Sequence, residues 1–170
     1  MKKKAIIISI KGKFLNKGEK FLLSKEKPWG VILFKRNIRS FKQTQSLIKN
    51  IRKYSKSKKF PILIDEEGST VSRLKNIFQN DFNAKYFGSL FLSDKKSGVL
   101  LYKNYLKSLC TILKKIGFNI NTIPVLDVLR NDTNKIIGKR SFSSNKQIVK
   151  TLGEITVKEL HKHKVISVIK

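Results

Sequence analysis

The strongest constraint on the fold is a series of five short apolar segments, separated by helical patterns or by long connections. They occupy residues 5–10, 31–34, 61–64, 120–127 and 165–170. Unbroken apolar runs of this length are typical of buried strands in a parallel sheet, whose two faces are covered by helices. Repeated βα units joined by right-handed crossovers are therefore predicted. This α/β pattern fits both an open sheet and a barrel.

Helical periodicity marks three of the connections. Ser40 with Gln43, and Ser144 with Gln147, have the spacing of capping boxes ahead of two of these helices. Gly117 is placed to end the third and longest helix in a left-handed conformation. The predicted apolar faces are Leu47, Ile48, Ile51 and Tyr54; Val99, Tyr102, Leu106, Leu109, Leu113 and Ile116; and Ile148, Leu152, Ile155 and Leu160.

The connection that follows Arg73 is predicted to be long and irregular. It is rich in aromatic residues, which we expect to pack against the core rather than to stack on nucleic-acid bases. These aromatic residues are Phe78, Phe82, Tyr86, Phe87 and Phe91.

Acidic residues follow the third apolar segment directly, as Asp65, Glu66 and Glu67, ahead of Gly68. The chain has only 11 acidic residues against 38 Lys and Arg, so their grouping indicates a functional site. In parallel α/β folds, ligands gather at the carboxyl ends of strands. The alternative is that these acids cap a following helix. Asp127 is predicted to end the fourth strand in the same way, and the residues alone suggest a catalytic pair of Asp65 and Asp127.

The length and composition indicate one folded domain, because 170 residues with 40% hydrophobic content can bury a sizeable core. The net charge of +27 raises nucleic acid or an anionic membrane as partners. However, the lysines are scattered and form no arginine-rich tract or aromatic-basic repeat. A lysine-rich solvated surface is therefore favoured over an RNA-binding protein, which stays the alternative.

Several residues that often carry chemistry are expected to be structural here. Cys110 falls among the apolar positions of the long helix, which indicates a core residue. His161 and His163 lie two apart, whereas paired metal ligands on a helix lie four apart, so no metal or cofactor is predicted. The charged start resembles a signal peptide, but its apolar run stops at Lys11 without a cleavage site. A cytoplasmic protein without membrane insertion is predicted.

Four motifs resemble those of glycoside hydrolase family 3, and in particular its bacterial β-N-acetylhexosaminidases of peptidoglycan recycling. They are Gly-Val-Ile-Leu-Phe-Lys-Arg-Asn at 30–37, Ile-Asp-Glu-Glu-Gly-Ser-Thr-Val-Ser-Arg at 64–73, Ile-Pro-Val-Leu-Asp-Val at 123–128 and Ile-Gly-Lys-Arg-Ser-Phe at 137–142. The resemblance implies a TIM (β/α)8 barrel. A complete barrel of this kind typically needs about 250 residues. The whole chain, 1–170, is therefore expected to form a single incomplete barrel domain, with about the first four βα units and a fifth strand.

The resemblance also implies the roles of individual residues. Asp65 and Arg73 would bind the terminal sugar, Arg140 would be a further substrate-binding residue, and Lys170 would match the lysine of the family's Lys-His pair. The acid/base histidine and the nucleophilic aspartate are expected beyond Lys170. The implied activity is retaining hydrolysis that removes terminal N-acetylglucosamine from muropeptides. The resemblance thus gives Asp65 and Asp127 binding or structural roles in place of the catalytic roles that the residues alone suggest. The chain is thus expected to be truncated and inactive alone.

The motifs also depart from the family pattern. Ser69 and Thr70 replace the usual Gly-Arg pair, and Lys139 stands where an acid is common. The changes at Ser69 and Thr70 would alter a turn and remove a cation. A non-catalytic fragment, or half of a split barrel that associates through its open strand edges, is the other alternative.

Overall fold

A computed structural model describes residues 3–170, so the two residues of the charged start, Met1 and Lys2, lie outside it. The strands are β1 (Lys4–Ser9), β2 (Pro28–Leu33), β3 (Ile62–Ile64), β4 (Ile120–Asn121) and β5 (Ile166–Ser167). The α-helices are α1 (Lys17–Phe21), α2 (Phe41–Tyr54), α3 (Ala84–Ser93), α4 (Lys95–Ile116) and α5 (Lys146–Lys162). Short turns of other helix types occupy Leu22–Glu26, Lys35–Asn37 and Gly138–Arg140.

The strands form one parallel sheet in the order β1-β2-β3-β4-β5, so each strand pairs with the next one along the chain. This order is that of the first half of a βα barrel, in which every crossover moves one strand onward. Within residues 3–170 the sheet does not close, because β1 and β5 are not paired with each other. The predicted α/β fold, a partial barrel, is confirmed.

The core lies around β2 and β3 and under the outer helices. Val31, Leu33, Ile62 and Ile64 are fully buried. Every residue predicted for the helix faces is buried or packs against the core, apart from Val99, which is half-buried. Cys110 is also fully buried, which confirms it as a core residue.

The prediction that the first strand is buried is wrong. Ile6 and Ile7 in β1 are 49% and 47% exposed. In the part of the chain that the structure describes, β1 pairs with β2 alone, so it lies at the edge of the sheet and lacks the cover that β2 and β3 receive. Its apolar sequence is that of a strand covered on both faces.

The prediction of an irregular connection after Arg73 is wrong from residue 84 onward, where α3 forms. Asn83 caps this helix, and its side chain accepts a hydrogen bond from the Tyr86 backbone N–H at 3.0 Å. The expected aromatic packing is confirmed for Phe87, whose ring centroid lies 4.6 Å from that of Tyr102. Phe82 is less enclosed and stays 45% exposed.

Of two predicted helix termini, one agrees with the structure and one does not. The predicted left-handed end of α4 is confirmed, since Gly117 has φ +118°. The predicted capping box at Ser144 is wrong, because Asn145 is the cap and accepts from the Gln147 N–H at 2.8 Å. Asparagine competes well with serine at this position, so spacing alone did not select the cap.

The fourth strand is shorter than predicted, because regular pairing stops at Asn121. Ile123 and Pro124 are joined by a cis peptide bond, and proline has no N–H to donate to a ladder. Beyond this bond the chain pairs with the residues that follow β5. Leu126 N donates to the Lys170 carbonyl at 2.7 Å, and Lys170 N donates to the Pro124 carbonyl at 3.2 Å. No helix in the described part of the chain is both long enough and apolar enough to cross a membrane.

Candidate functional site

Five charged side chains meet at the carboxyl ends of β3 and β5, and we call them the ionic cluster. Its members are Asp65, Glu67, Arg73, Arg140 and Lys170. The two acids follow β3, Lys170 follows β5, and the two arginines come from loops. The fold therefore brings together residues that are more than 100 positions apart in the sequence.

Asp65 is held as an ionised acceptor. Its Oδ1 accepts from Thr122 Oγ1 at 2.6 Å, its Oδ2 accepts from Arg73 Nη2 at 3.2 Å, and Lys170 Nζ lies 3.7 Å away. Burial raises the pKa of Asp65, but the hydrogen bond from Thr122 and the charges of Lys170 and Arg73 outweigh it, so the pKa is lowered. Asp65 is therefore a carboxylate at neutral pH, suited to accept hydrogen bonds from hydroxyl groups.

Glu67 contacts two cations of the cluster, Arg140 and Lys170. Arg140 binds it in bidentate fashion, with Nε to Oε2 at 2.7 Å and Nη2 to Oε1 at 3.0 Å. Lys170 Nζ also lies 2.7 Å from Oε1. Paired charge-assisted hydrogen bonds of this kind fix the orientation of a guanidinium group. The hydrogen bond to Glu67 raises the pKa of Arg140.

Glu66 points into the protein and organises the loop. Its Oε2 accepts from Ser72 Oγ and from the backbone N–H groups of Arg73 and Leu74, and its Oε1 accepts from Asn80. Burial raises the pKa of Glu66, more than these hydrogen bonds lower it. The interpretation of the three acids as a helix cap is wrong, because no helix begins in the described chain between β3 and α3.

Ser69 takes part in the same loop and adds no charge to it. Its backbone N–H donates to the Phe82 carbonyl at 2.7 Å, and its hydroxyl accepts from Asn83 at 3.3 Å. Gly68 has φ +126°, and a Cβ there would lie 2.3 Å from the same carbonyl oxygen. A residue with a side chain is therefore excluded at Gly68 without a change of the loop.

Asp127 does not lie at the end of β4, where it was predicted. The residue is exposed, and its backbone carbonyl accepts from Ser141 Oγ. The prediction that it ends β4 as Asp65 ends β3 is wrong, because the strand stops six residues earlier, at Asn121. The hydrogen-bonding partners of Asp65 are Thr122 and Arg73, so the suggested pair of Asp65 and Asp127 does not form.

The arrangement is suited to binding rather than to proton transfer. Retaining glycoside hydrolysis needs a nucleophile and a group that exchanges a proton near neutral pH. Asp65 and Glu67 are instead neutralised by three cations, Arg73, Arg140 and Lys170. A small cavity of about 20 Å³ lies beside Glu67 and Arg140, large enough for one water molecule but not for a sugar ring. A ligand would therefore lie on the solvent side of the cluster.

Within residues 3–170, no three His, Cys, Asp or Glu side chains lie close enough together to hold a metal ion. His161 is exposed. His163, which caps the C-terminus of α5, has its Nε2 3.7 Å from Glu159 Oε2.

A parallel sheet with strands in chain order and charged residues at their carboxyl ends defines an α/β protein of the barrel class. The sequence model of the Glycosyl hydrolase family 3 N terminal domain matches residues 3–170, and the chain belongs to this family.

The curated relatives include proteins named Beta-hexosaminidase. The protein of Hydrogenovibrio crunogenus is 31% identical over 165 residues, which are 97% of this chain and 46% of that protein. The protein of Xanthomonas campestris pv. campestris strain B100 is 28% identical over 156 residues, or 92% of this chain and 46% of that protein. The chain thus spans about half the length of the curated relatives it matches.

Solved structures give the same result. Native NagZ from Neisseria gonorrhoeae superposes with a TM-score of 0.89 at 26% identity, over 99% of this chain and 49% of that one. The same protein in complex with N-trifluoroacetyl-D-glucosamine gives a TM-score of 0.87 at 25% identity, over 99% of this chain and 50% of that one. The family expected from the four motifs is confirmed.

The structure brings together all the residues predicted to bind substrate: Asp65, Arg73, Arg140 and Lys170. That they bind sugar stays a prediction. Sequence reasoning did not assign roles to Glu67 and Thr122. No sequence signal marked Thr122, because the fourth strand was predicted to run on to Asp127. In the structure Thr122 follows the end of β4 at Asn121, as Asp65 follows the end of β3.

Proposed function

We propose that this chain forms part of the sugar-binding site of a family 3 β-N-acetylhexosaminidase, which removes terminal N-acetylglucosamine from peptidoglycan fragments. The observation that carries the proposal is the ionic cluster, with Asp65 ionised beside Arg73 and Lys170. The names of the curated relatives, and a neighbour that binds an N-acylated glucosamine, support it.

The chemistry of the cluster suits a sugar with several hydroxyl groups. Asp65 offers a charged acceptor, and Arg73 and Lys170 offer charged donors. Their side chains are 17%, 28% and 34% exposed, so each keeps a part that faces solvent. Hydrogen bonds to charged groups contribute about 1.5–3 kcal/mol each, roughly twice those between neutral groups. Adjacent hydroxyls of a pyranose can use an acceptor and a donor at the same time.

We place the acid/base and the nucleophile of the proposed reaction in the part of the relatives that this chain does not match. The two carboxylates of the cluster already take part in ion pairs, and the lowered pKa of Asp65 makes it a poor proton donor. Robust turnover of a chromogenic β-N-acetylglucosaminide by this chain alone would contradict this placement.

Sugar binding is tested by titrating N-acetylglucosamine into the labelled chain and following 1H–15N chemical shifts. Shifts should concentrate at the cluster, and D65N should weaken binding about tenfold, as expected for the loss of one charge-assisted hydrogen bond. E154Q is the matched control, because Glu154 lies on the surface and is 4.0 Å from Lys158. An unaltered chain without shifts at the cluster, or a D65N variant that binds normally, contradicts the proposal.

The finer parts of the proposal concern the domain, its partners and its location. Residues 1–170 would form a single incomplete barrel domain acting on muropeptides in the cytoplasm. Both outer strands expose apolar side chains, with Ile7 in β1 and Ile166 in β5 at 47% and 60%. Association through these edges is therefore expected, since uncovered strand edges pair readily. Sedimentation velocity at several concentrations tests it, and a monomer throughout would contradict it.

A further inference from the structure

We infer that Glu67 is a positioning residue, which holds Arg140 in the orientation that meets the sugar and does not contact the sugar itself. The inference rests on the proposed function of the cluster. It concerns a residue to which neither the sequence motifs nor the comparisons assign a role.

Glu67 links three separate parts of the chain. It follows β3, Arg140 ends the turn Gly138–Arg140, and Lys170 follows β5. One carboxylate accepts two hydrogen bonds from Arg140, at 2.7 and 3.0 Å, and forms an ion pair with Lys170 at 2.7 Å. Because a bidentate pair fixes both the direction and the rotation of a guanidinium, Glu67 sets where Arg140 points.

Exposure separates Glu67 from the residues proposed to bind the sugar. The Glu67 side chain is 5% exposed, against 17% for Asp65, 19% for Arg140 and 34% for Lys170. Both carboxylate oxygens of Glu67 already accept from Arg140. It therefore offers little surface to a ligand, and its enclosed position strengthens the two ion pairs.

The two cations depend on Glu67 to different degrees. Lys170 Nζ also donates to Thr122 Oγ1 at 2.8 Å and lies 3.7 Å from Asp65. Both hydrogen bonds that the Arg140 guanidinium makes in the structure go to Glu67. Loss of the Glu67 charge should therefore release Arg140 and leave Lys170 largely in place.

The test compares E67Q and E67D with the unaltered chain, and E154Q serves as the control for the lost charge. E67Q keeps the shape of the side chain, whereas E67D keeps the charge and is one methylene shorter. Two quantities are measured: the affinity for N-acetylglucosamine, and the 1H–15N resonance of Arg140 Nε, which the 2.7 Å bond to Glu67 should shift downfield and protect from exchange. Thermal unfolding is recorded for each protein.

Both variants should lose the downfield Arg140 resonance and bind N-acetylglucosamine about tenfold more weakly, the scale of one charge-assisted hydrogen bond. E154Q should match the unaltered chain in both. A purely structural role for Glu67 predicts a lower unfolding temperature with normal affinity in E67D, and that result overturns the inference, as does an unchanged Arg140 resonance in a folded variant. An unaltered chain that binds no sugar overturns the proposed function instead, whatever the Arg140 resonance shows.

Discussion

Thr122 donates a hydrogen bond of 2.6 Å to Asp65 across the boundary between β3 and β4. The contact follows from the strand register, in which Ile64 is the partner of Asn121, so that the next residue on each strand lies alongside the other. The Thr122 hydroxyl also accepts from Lys170 Nζ at 2.8 Å. One hydroxyl therefore connects the residues that follow three neighbouring strands.

The first prediction concerns T122V, which keeps the shape of the side chain and removes its hydroxyl. Asp65 loses a donor, so its pKa should rise toward the ordinary value. A lowered carboxyl pKa contributes stability above the unfolded-state pKa, and this contribution is lost as the pH falls through the folded-state pKa. T122V should thus be less stable by about 1 kcal/mol at pH 7, with a smaller difference in acid.

Urea unfolding at several pH values, together with NMR titration of the Asp65 carboxyl, measures this effect. T111V is the matched control, because the Thr111 hydroxyl is exposed and donates to the Lys107 carbonyl of its own helix. A pH-independent difference between T122V and the unaltered chain would show that the hydroxyl acts through packing and not through the Asp65 charge.

The second prediction concerns E66Q, and its pH dependence has the opposite sign. Burial raises the pKa of Glu66 above its unfolded-state value. Its contribution to stability is therefore fully present below the unfolded-state pKa and is lost as the pH rises through the folded-state pKa. A glutamine oxygen can accept from Ser72, Arg73 N and Leu74 N as Oε2 does, and its amide can donate to a reoriented Asn80.

E66Q should therefore be more stable than the unaltered chain at neutral pH, by about 1 kcal/mol, because a buried charge is removed while its hydrogen bonds remain. The advantage should disappear in acid. Free energies of unfolding from denaturant titrations between neutral and acidic pH check this. An E66Q variant less stable at neutral pH would mean that the loop requires the ionised carboxylate.

The sequence predicted the elements whose signals are local. Gly117 ended α4 because only glycine adopts a left-handed conformation without cost, and the apolar face of that helix repeated at helical spacing. Asp65 was recognised because a buried strand ends just before it. The four residues expected to bind sugar came from the family resemblance, which supplies contacts between distant parts of the chain.

The remaining features depend on contacts that no local pattern contains. Glu67 was not assigned a role, because its partners, Arg140 and Lys170, are 73 and 103 positions further along the chain. The exposure of β1 follows from its place at the sheet edge, which its apolar sequence does not reveal. α3 was missed because Gly88 lies in its middle, and glycine is a poor helix former.

The third prediction concerns Gly88. Its close packing against Phe142 explains why a glycine lies in the middle of α3. A Cβ at this position would lie 1.8 Å from the Phe142 carbonyl oxygen, so α3 approaches the loop that carries Arg140 as only glycine allows. G88A should lower the free energy of unfolding by about 1–3 kcal/mol, as overpacking exceeds the gain in helix propensity. G12A is the control, because nothing lies within 4 Å of a Cβ there. Denaturant unfolding compares the two, and a G88A variant as stable as G12A would show that α3 does not lie against Phe142.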